Sequence, residues 1–128
     1  MGPDGKAPPK SVLVADDHPT VRRLIRTAFE KRPDFVVCGE AGDGQEAIEK
    51  AETLRPDLVV LDLSMPGMNG LAVARHLKQS SPSTTVIVFS DYLDVLAEGG
   101  RDFAGIAAVV SKSQPLSVLI DEARHLLN

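Results

Sequence analysis

Five short runs rich in apolar residues alternate with amphipathic helical patterns along this chain, and that alternation limits the fold more than any other feature. Val12–Ala15, Phe35–Ala41, Leu58–Leu61, Thr85–Phe89 and Ile106–Val110 read as strands. Runs this short and apolar suit a parallel sheet covered on both faces. Between them, apolar residues recur at helical spacing: Val21, Leu24, Ile25, Ala28 and Phe29, then Ala47, Ile48, Ala51 and Leu54. Leu71, Val73, Ala74 and Leu77 form a third stripe, and Leu116, Leu119, Ile120, Ala123, Leu126 and Leu127 a last one. Pro33, Pro56 and Pro82 close the first three helices. Right-handed crossovers turn this pattern into an α/β, doubly wound five-stranded parallel sheet, for which 2-1-3-4-5 is a common order and the one expected here. The fourth helix is weak. Asp94 to Glu98 could form it, but Gly99-Gly100 would then lie within it. Each glycine costs about 0.5–1 kcal/mol there relative to alanine, so a short or irregular element is expected.

Four of the strands end on polar residues. The first runs into Asp16 and Asp17, the third into Asp62, the fourth into Ser90, and the fifth through Ser111 to Lys112. In an open parallel sheet these tips share one edge, and ligands bind where the strand order reverses. One crevice would therefore receive three carboxylates, a hydroxyl and an ammonium. A like-charge pair about 4 Å apart costs about 4 kcal/mol at an effective dielectric near 20. The cluster must bind a cation, protonate or be held by basic groups. Oxygen donors without thiolate or imidazole select magnesium, manganese or calcium over zinc. Asp62 precedes a loop containing Pro66, Gly67 and Gly70, which leaves it accessible as a nucleophile toward phosphorus. Ser90 and Lys112 can then hydrogen-bond and neutralise the transferred group. Nothing nearby reads as a strong general base, so hydrolysis of an adduct should be slow.

Composition narrows the class. The chain has 128 residues, 43% hydrophobic and 25% charged, which suits a single domain with one core. A formal charge of -4 argues against binding of nucleic acid by this segment. No apolar stretch approaches the roughly 20 residues of a membrane span. Cys38 is the single cysteine; it cannot form an internal disulfide, so a cytoplasmic location is expected. It reads as a small core residue rather than a reactive thiol. Residues 1–10, with three prolines and two glycines, read as a flexible leader, and residues 11–128 as the folded domain.

The segments Leu13-Val14-Ala15-Asp16-Asp17-His18-Pro19, Leu61-Asp62-Leu63-Ser64-Met65-Pro66-Gly67-Met68-Asn69-Gly70, Val88-Phe89-Ser90 and Ser111-Lys112 resemble the receiver domains of two-component response regulators. The resemblance spans about residues 11 to 127. The Asp-His-Pro start and the Ser-Met-Pro-Gly-Met-Asn-Gly loop look most like the subfamily that carries a C-terminal helix-turn-helix output domain. It implies a phosphoprotein in a phosphorelay, with Asp62 accepting phosphate from a histidine kinase. Asp16, Asp17, Asp62 and the backbone carbonyl of Ser64 would hold magnesium. Ser90 and Lys112 would respond to the phosphoryl group and shift the fourth helix, fifth strand and fifth helix, a face that commonly serves homodimerisation or output. Such a domain is a signalling switch with slow autodephosphorylation, not a turnover enzyme, and regulates transcription through its output domain.

Three positions depart from that pattern. Receivers usually carry an aromatic residue three places before the lysine, where this chain has Val109. Phe89 or Tyr92 would have to substitute for it. The residue after Ser90 is usually small, whereas here it is Asp91, and Gly99-Gly100 weakens the signalling helix. These changes lie on the output side, which suggests retained chemistry with an altered readout. A phosphorylation-independent interaction module on the same fold is therefore the alternative. An aspartyl phosphatase of the haloacid dehalogenase type would need a second Asp two residues after the nucleophile, where Ser64 stands. A flavin binder would need a phosphate loop where Asp16-Asp17-His18-Pro19 would repel an anion. His18 reads as a loop residue rather than a ligand, His76 and His125 as surface positions, Met65 and Met68 as loop packing, and the arginines of the first helix as a solvated face open to a kinase.

Overall fold

The computed structural model describes residues 7–67, 69–91 and 105–128. Met68, Tyr92, the 94–98 helical pattern and Gly99-Gly100 lie outside them. Five parallel strands run in the order β2-β1-β3-β4-β5: β1 (Lys10–Ala15), β2 (Phe35–Ala41), β3 (Leu58–Leu61), β4 (Thr85–Ser90) and β5 (Ala108–Ser111). The order matches the sequence expectation, and it reverses between β1 and β3, which places the crevice beside those two tips. The helices are α1 (Pro19–Glu30), α2 (Gly44–Leu54), α3 (Gly70–Ser80) and α4 (Leu116–Leu127), the last being the fifth helical pattern of the sequence. No helix among the described residues is long and apolar enough to cross a membrane.

Every residue of β3, Leu-Val-Val-Leu, is buried. Alternation along the strands sorts the core into two layers. Leu13, Val59, Leu61, Val86 and Val88 pack with α2 and α3 on one face. Val12, Val14, Val60, Ile87 and Phe89 pack with Ile25 and Phe29 of α1 and Leu119, Ile120 and Ala123 of α4 on the other. Helix starts follow the local chemistry. Asp43 caps α2 by accepting from Glu46 N at 2.8 Å, and Glu46 reaches back to Gly42 N at 2.7 Å. Asn69 caps α3 by accepting from Ala72 N at 2.9 Å. Pro19 fits the first turn of α1, where its missing N–H costs nothing.

Some boundaries and faces differ from the sequence reading. β1 begins at Lys10, inside the proposed leader, because Lys10 N donates to Asp34 O at 2.9 Å and Lys10 pairs with Phe35. β5 begins at Ala108, not Ile106. The chain enters through a turn at Gly105 (φ +73°), and Ile106 is buried without joining the ladder. Leu24 sits in the spacing of the α1 stripe yet is 55% exposed, because the buried arc centres on Ile25 and Phe29. Arg22 and Arg26 do not simply face solvent. Both turn back to Glu40 of β2, Arg22 Nε at 2.9 Å and Arg26 Nη1 at 2.7 Å. Cys38, expected in the core, is only partly buried beside the α2/α3 layer, though burial still pushes its thiol above the ordinary pKa, which suits an unreactive residue.

Candidate functional site

The register builds the site. Ala15 pairs with Leu61, so the next residues, Asp16 and Asp62, emerge side by side. Main-chain bonds extend past the strands and hold these tips: Asp16 N donates to Ala41 O at 2.9 Å and Asp62 N to Ala15 O at 3.0 Å. On the other side Ser90 pairs with Ser111, and Lys112 N donates to Ser90 O at 3.3 Å. Four strand ends thus converge on one edge.

Asp62 is 1% exposed and both its oxygens are engaged. Oδ1 accepts from Ser90 Oγ at 3.1 Å and from Ser64 N at 3.2 Å. Oδ2 accepts from Lys112 Nζ at 3.2 Å, while Ser64 Oγ lies 3.1 Å from each oxygen. Lys112 Nζ also lies 2.9 Å from Asp16 Oδ2, so one ammonium bridges two buried carboxylates. Burial alone would lower the pKa of that ammonium, but Asp16 and Asp62 together outweigh it and raise the value.

The remaining oxygens are treated differently. Asp16 Oδ2 and Asp17 Oδ1 are buried and accept no hydrogen bond, although Lys112 Nζ and His18 Nδ1 come within ion-pair distance. Buried carboxylate oxygens without hydrogen bonds are rare and suit a cation. Asp16, Asp17, His18 and Asp62 each offer one donor atom, all within 4.8 Å of one another. A divalent metal therefore fits the residues present.

The side chains of Asp16, Asp17, Asp62, Ser90 and Lys112 singled out in the sequence are brought together, and Ser64, named there for its backbone carbonyl, meets Asp62 through its N and Oγ. One neighbour was not foreseen there. Arg22 Nη1 donates to Asp16 O at 2.8 Å and so supports the acidic tip from α1. Apolar spacing gave no sign of this, because the contact depends on how α1 packs. His18, expected beside the site as a loop residue rather than a ligand, stands at the cluster.

The matrix of strand tips and donors has clear relatives. The model of the response regulator receiver domain matches residues 12–124. The chain belongs to the receiver domain family. The nitrate/nitrite response regulator protein NarL of Escherichia coli K12 is 46% identical over 82 residues, 64% of this chain and 38% of that protein. This receiver thus spans well under half the length of that curated relative. A LuxR-family two-component response regulator from Aurantimonas sp. SI85-9A1 superposes with a TM-score of 0.86 at 30% identity, covering 93% of this chain and 85% of the other. The signal receiver domain of a NarL regulator from Mycobacterium tuberculosis gives 0.87 at 27% identity, covering 94% and 98%. The receiver is most like this LuxR/NarL group, as its Asp-His-Pro motif and its loop suggest.

The departures can now be placed. Val109 is half-buried and packs against the α2/α3 layer. Phe89 is buried in the α1/α4 layer, on the other face of the sheet, so it cannot replace an aromatic residue at Val109. Asp91 is exposed.

Proposed function

We propose that this receiver is a phosphoryl-accepting switch of a two-component system, with Asp62 taking the group from a histidine kinase. The supporting observation is the Asp62 carboxylate itself, buried at a strand tip with Ser64, Ser90 and Lys112 on its oxygens. An Asp62 oxygen bonds to phosphorus as the bond from phosphorus to the donor's imidazole nitrogen breaks, and that nitrogen keeps the electron pair. An acyl phosphate results. Lys112 supplies positive charge to the transferring oxygens, and Ser90 can turn its hydroxyl from Asp62 to the new group. Asp16, Asp17 and Asp62, with the Ser64 carbonyl, would hold magnesium, which when bound neutralises phosphoryl charge. Slow loss of the group belongs to this reading, in which the domain works as a switch rather than a turnover enzyme.

The test is incubation with acetyl phosphate and magnesium, followed by intact-protein mass measurement. A gain of one phosphoryl group that disappears in Asp62→Asn is expected. An unmodified wild-type protein would overturn the reading, and continuous phosphate release would favour a phosphatase.

The partner is the kinase, and output passes to a C-terminal DNA-binding domain of the kind LuxR- and NarL-type regulators carry, so that the whole protein regulates transcription. A homodimer through the β5–α4 side is part of this reading. With Val109 in the core layer and no aromatic switch there, the readout runs through other residues. Beryllium fluoride with magnesium should shift amide NMR signals around Asp62, whereas a large ordered displacement of residues 91–112 would contradict an altered readout. Normal partner binding by an unphosphorylatable variant would favour the interaction-module alternative.

A further inference from the structure

We propose that His18 is a ligand of the cation site and gives this receiver a preference for transition-metal ions that its carboxylates alone would not confer. The inference rests on the cation site described above and concerns a residue outside the acidic set.

His18 is the N-cap residue of α1 but makes no side-chain capping bond, so helix initiation does not dictate its orientation. Its ring is turned toward the acidic tip even though the side chain is 63% exposed and could point to solvent. Nδ1 lies 3.0 Å from Asp17 Oδ1 and 3.4 Å from Asp16 Oδ1. The Asp17 contact is not a hydrogen bond, because Asp17 Oδ1 accepts none. The short approach therefore lacks the alignment that an N–H donor would adopt. With Nδ1 in its unprotonated form the two lone pairs would repel, and a cation lying against both would hold them at this distance. In an octahedral site with bonds of about 2.1 Å, adjacent donors lie about 3.0 Å apart. The Nδ1–Oδ1 separation has the length of such an edge. The backbone helps to set it, since Asp16 Oδ1 accepts from His18 N at 2.9 Å and holds the turn that brings the ring over the carboxylates.

The donor set becomes three carboxylates and one imidazole. Magnesium gains little from an imidazole and keeps water instead. Manganese, cobalt and nickel accept nitrogen readily, with affinity rising in that order. His18 should thus sharpen discrimination against magnesium while leaving magnesium binding available at cellular excess.

Metal binding to the full chain can be measured by calorimetry with cobalt(II) and with magnesium, without a phosphoryl donor. His18→Ala should weaken cobalt binding roughly tenfold or more, the scale seen when supporting groups of a metal site are removed, and change magnesium binding less than about twofold. Retained magnesium binding also shows that the variant is folded. Pulsed electron paramagnetic resonance of manganese(II) should show nitrogen coupling in the wild type and in His76→Ala, and none in His18→Ala. Equal cobalt affinity in wild type and His18→Ala, or a manganese signal without nitrogen coupling, would overturn the proposal and leave His18 as a nearby counter-charge. Equal loss of both metals would overturn it too. Failure of Asp17→Asn to weaken either metal would instead sink the cation site itself.

Discussion

Carboxylates stand at both ends of the same sheet, and the two ends treat them in opposite ways. At the entry end every oxygen considered has donors. Asp34 holds Arg124 of α4 through Nε at 2.7 Å and Nη2 at 2.9 Å. Asp57 Oδ2 accepts from Ser11 N at 2.8 Å, and Ser11 Oγ accepts from Asp57 N at 3.0 Å, tying the start of β3 to β1. At the exit end Asp16 and Asp62 share one lysine, and one buried oxygen each of Asp16 and Asp17 accepts no hydrogen bond. Satisfied carboxylates clamp elements together. The under-satisfied oxygens of Asp16 and Asp17 keep lone pairs free for the proposed cation, at a cost in stability.

The largest effect expected from this contrast is at Lys112. Lys112→Ala leaves two buried carboxylates without their shared ammonium and should cost about 3 kcal/mol in urea unfolding with chelator present. Arg124→Ala, at an exposed pair, should shift the midpoint far less. Equal losses would erase the distinction between the two ends.

Gly70→Ala probes how tightly the exit end is built. A Cβ on Gly70 would lie 2.5 Å from Leu63 Cα, a backbone atom next to Asp62. The loop must shift, with a loss of about 2 kcal/mol and weaker phosphorylation. Unchanged stability would show that this loop yields freely.

Asp62→Asn should move stability the other way. Removing one of three clustered like charges should stabilise the metal-free protein by about 1 kcal/mol. Magnesium should raise the wild-type midpoint and lose that effect in Asp17→Asn. Destabilisation by Asp62→Asn without metal would mean that the carboxylate is structural after all.

The smallest effects are at the satisfied carboxylates. Arg124 holds Asp34 below its usual pKa, and Arg26, with Arg22, does the same for Glu40. A lowered folded-state value means that each group stabilises fully above its unfolded pKa, about 4. That contribution is lost as pH falls through the lowered folded value. Asp34→Asn and Glu40→Gln should each cost less than about 1 kcal/mol at pH 7, and the difference from wild type should shrink in acid. A difference that persists well below the carboxylate range would point to packing instead.

The strand–helix alternation and the acidic tips were legible because period and composition carry them, and the sheet order followed as a common arrangement of such folds. An apolar run as short as Leu58–Leu61, bounded by Pro56 and a Pro/Gly loop, suits a buried strand, and in a parallel sheet the polar residue after it emerges at a shared edge. Leu24, Arg22 and Ile106 were less legible. The direction of a helix face, the reach of an arginine and the first paired residue of an edge strand depend on what lies opposite them.

The residues alone determined that Asp16, Asp17, Asp62, Ser90 and Lys112 would share one end of a parallel sheet, since strand ends carry their next residue to a common edge whatever the side-chain packing. Only the folded chain decided that Lys112 bridges Asp16 and Asp62, that Phe89 lies across the sheet from Val109, and that His18 meets the carboxylates. Those outcomes turn on ångström-scale distances between segments far apart in the chain or on the turn of a single ring, and no local pattern encodes them.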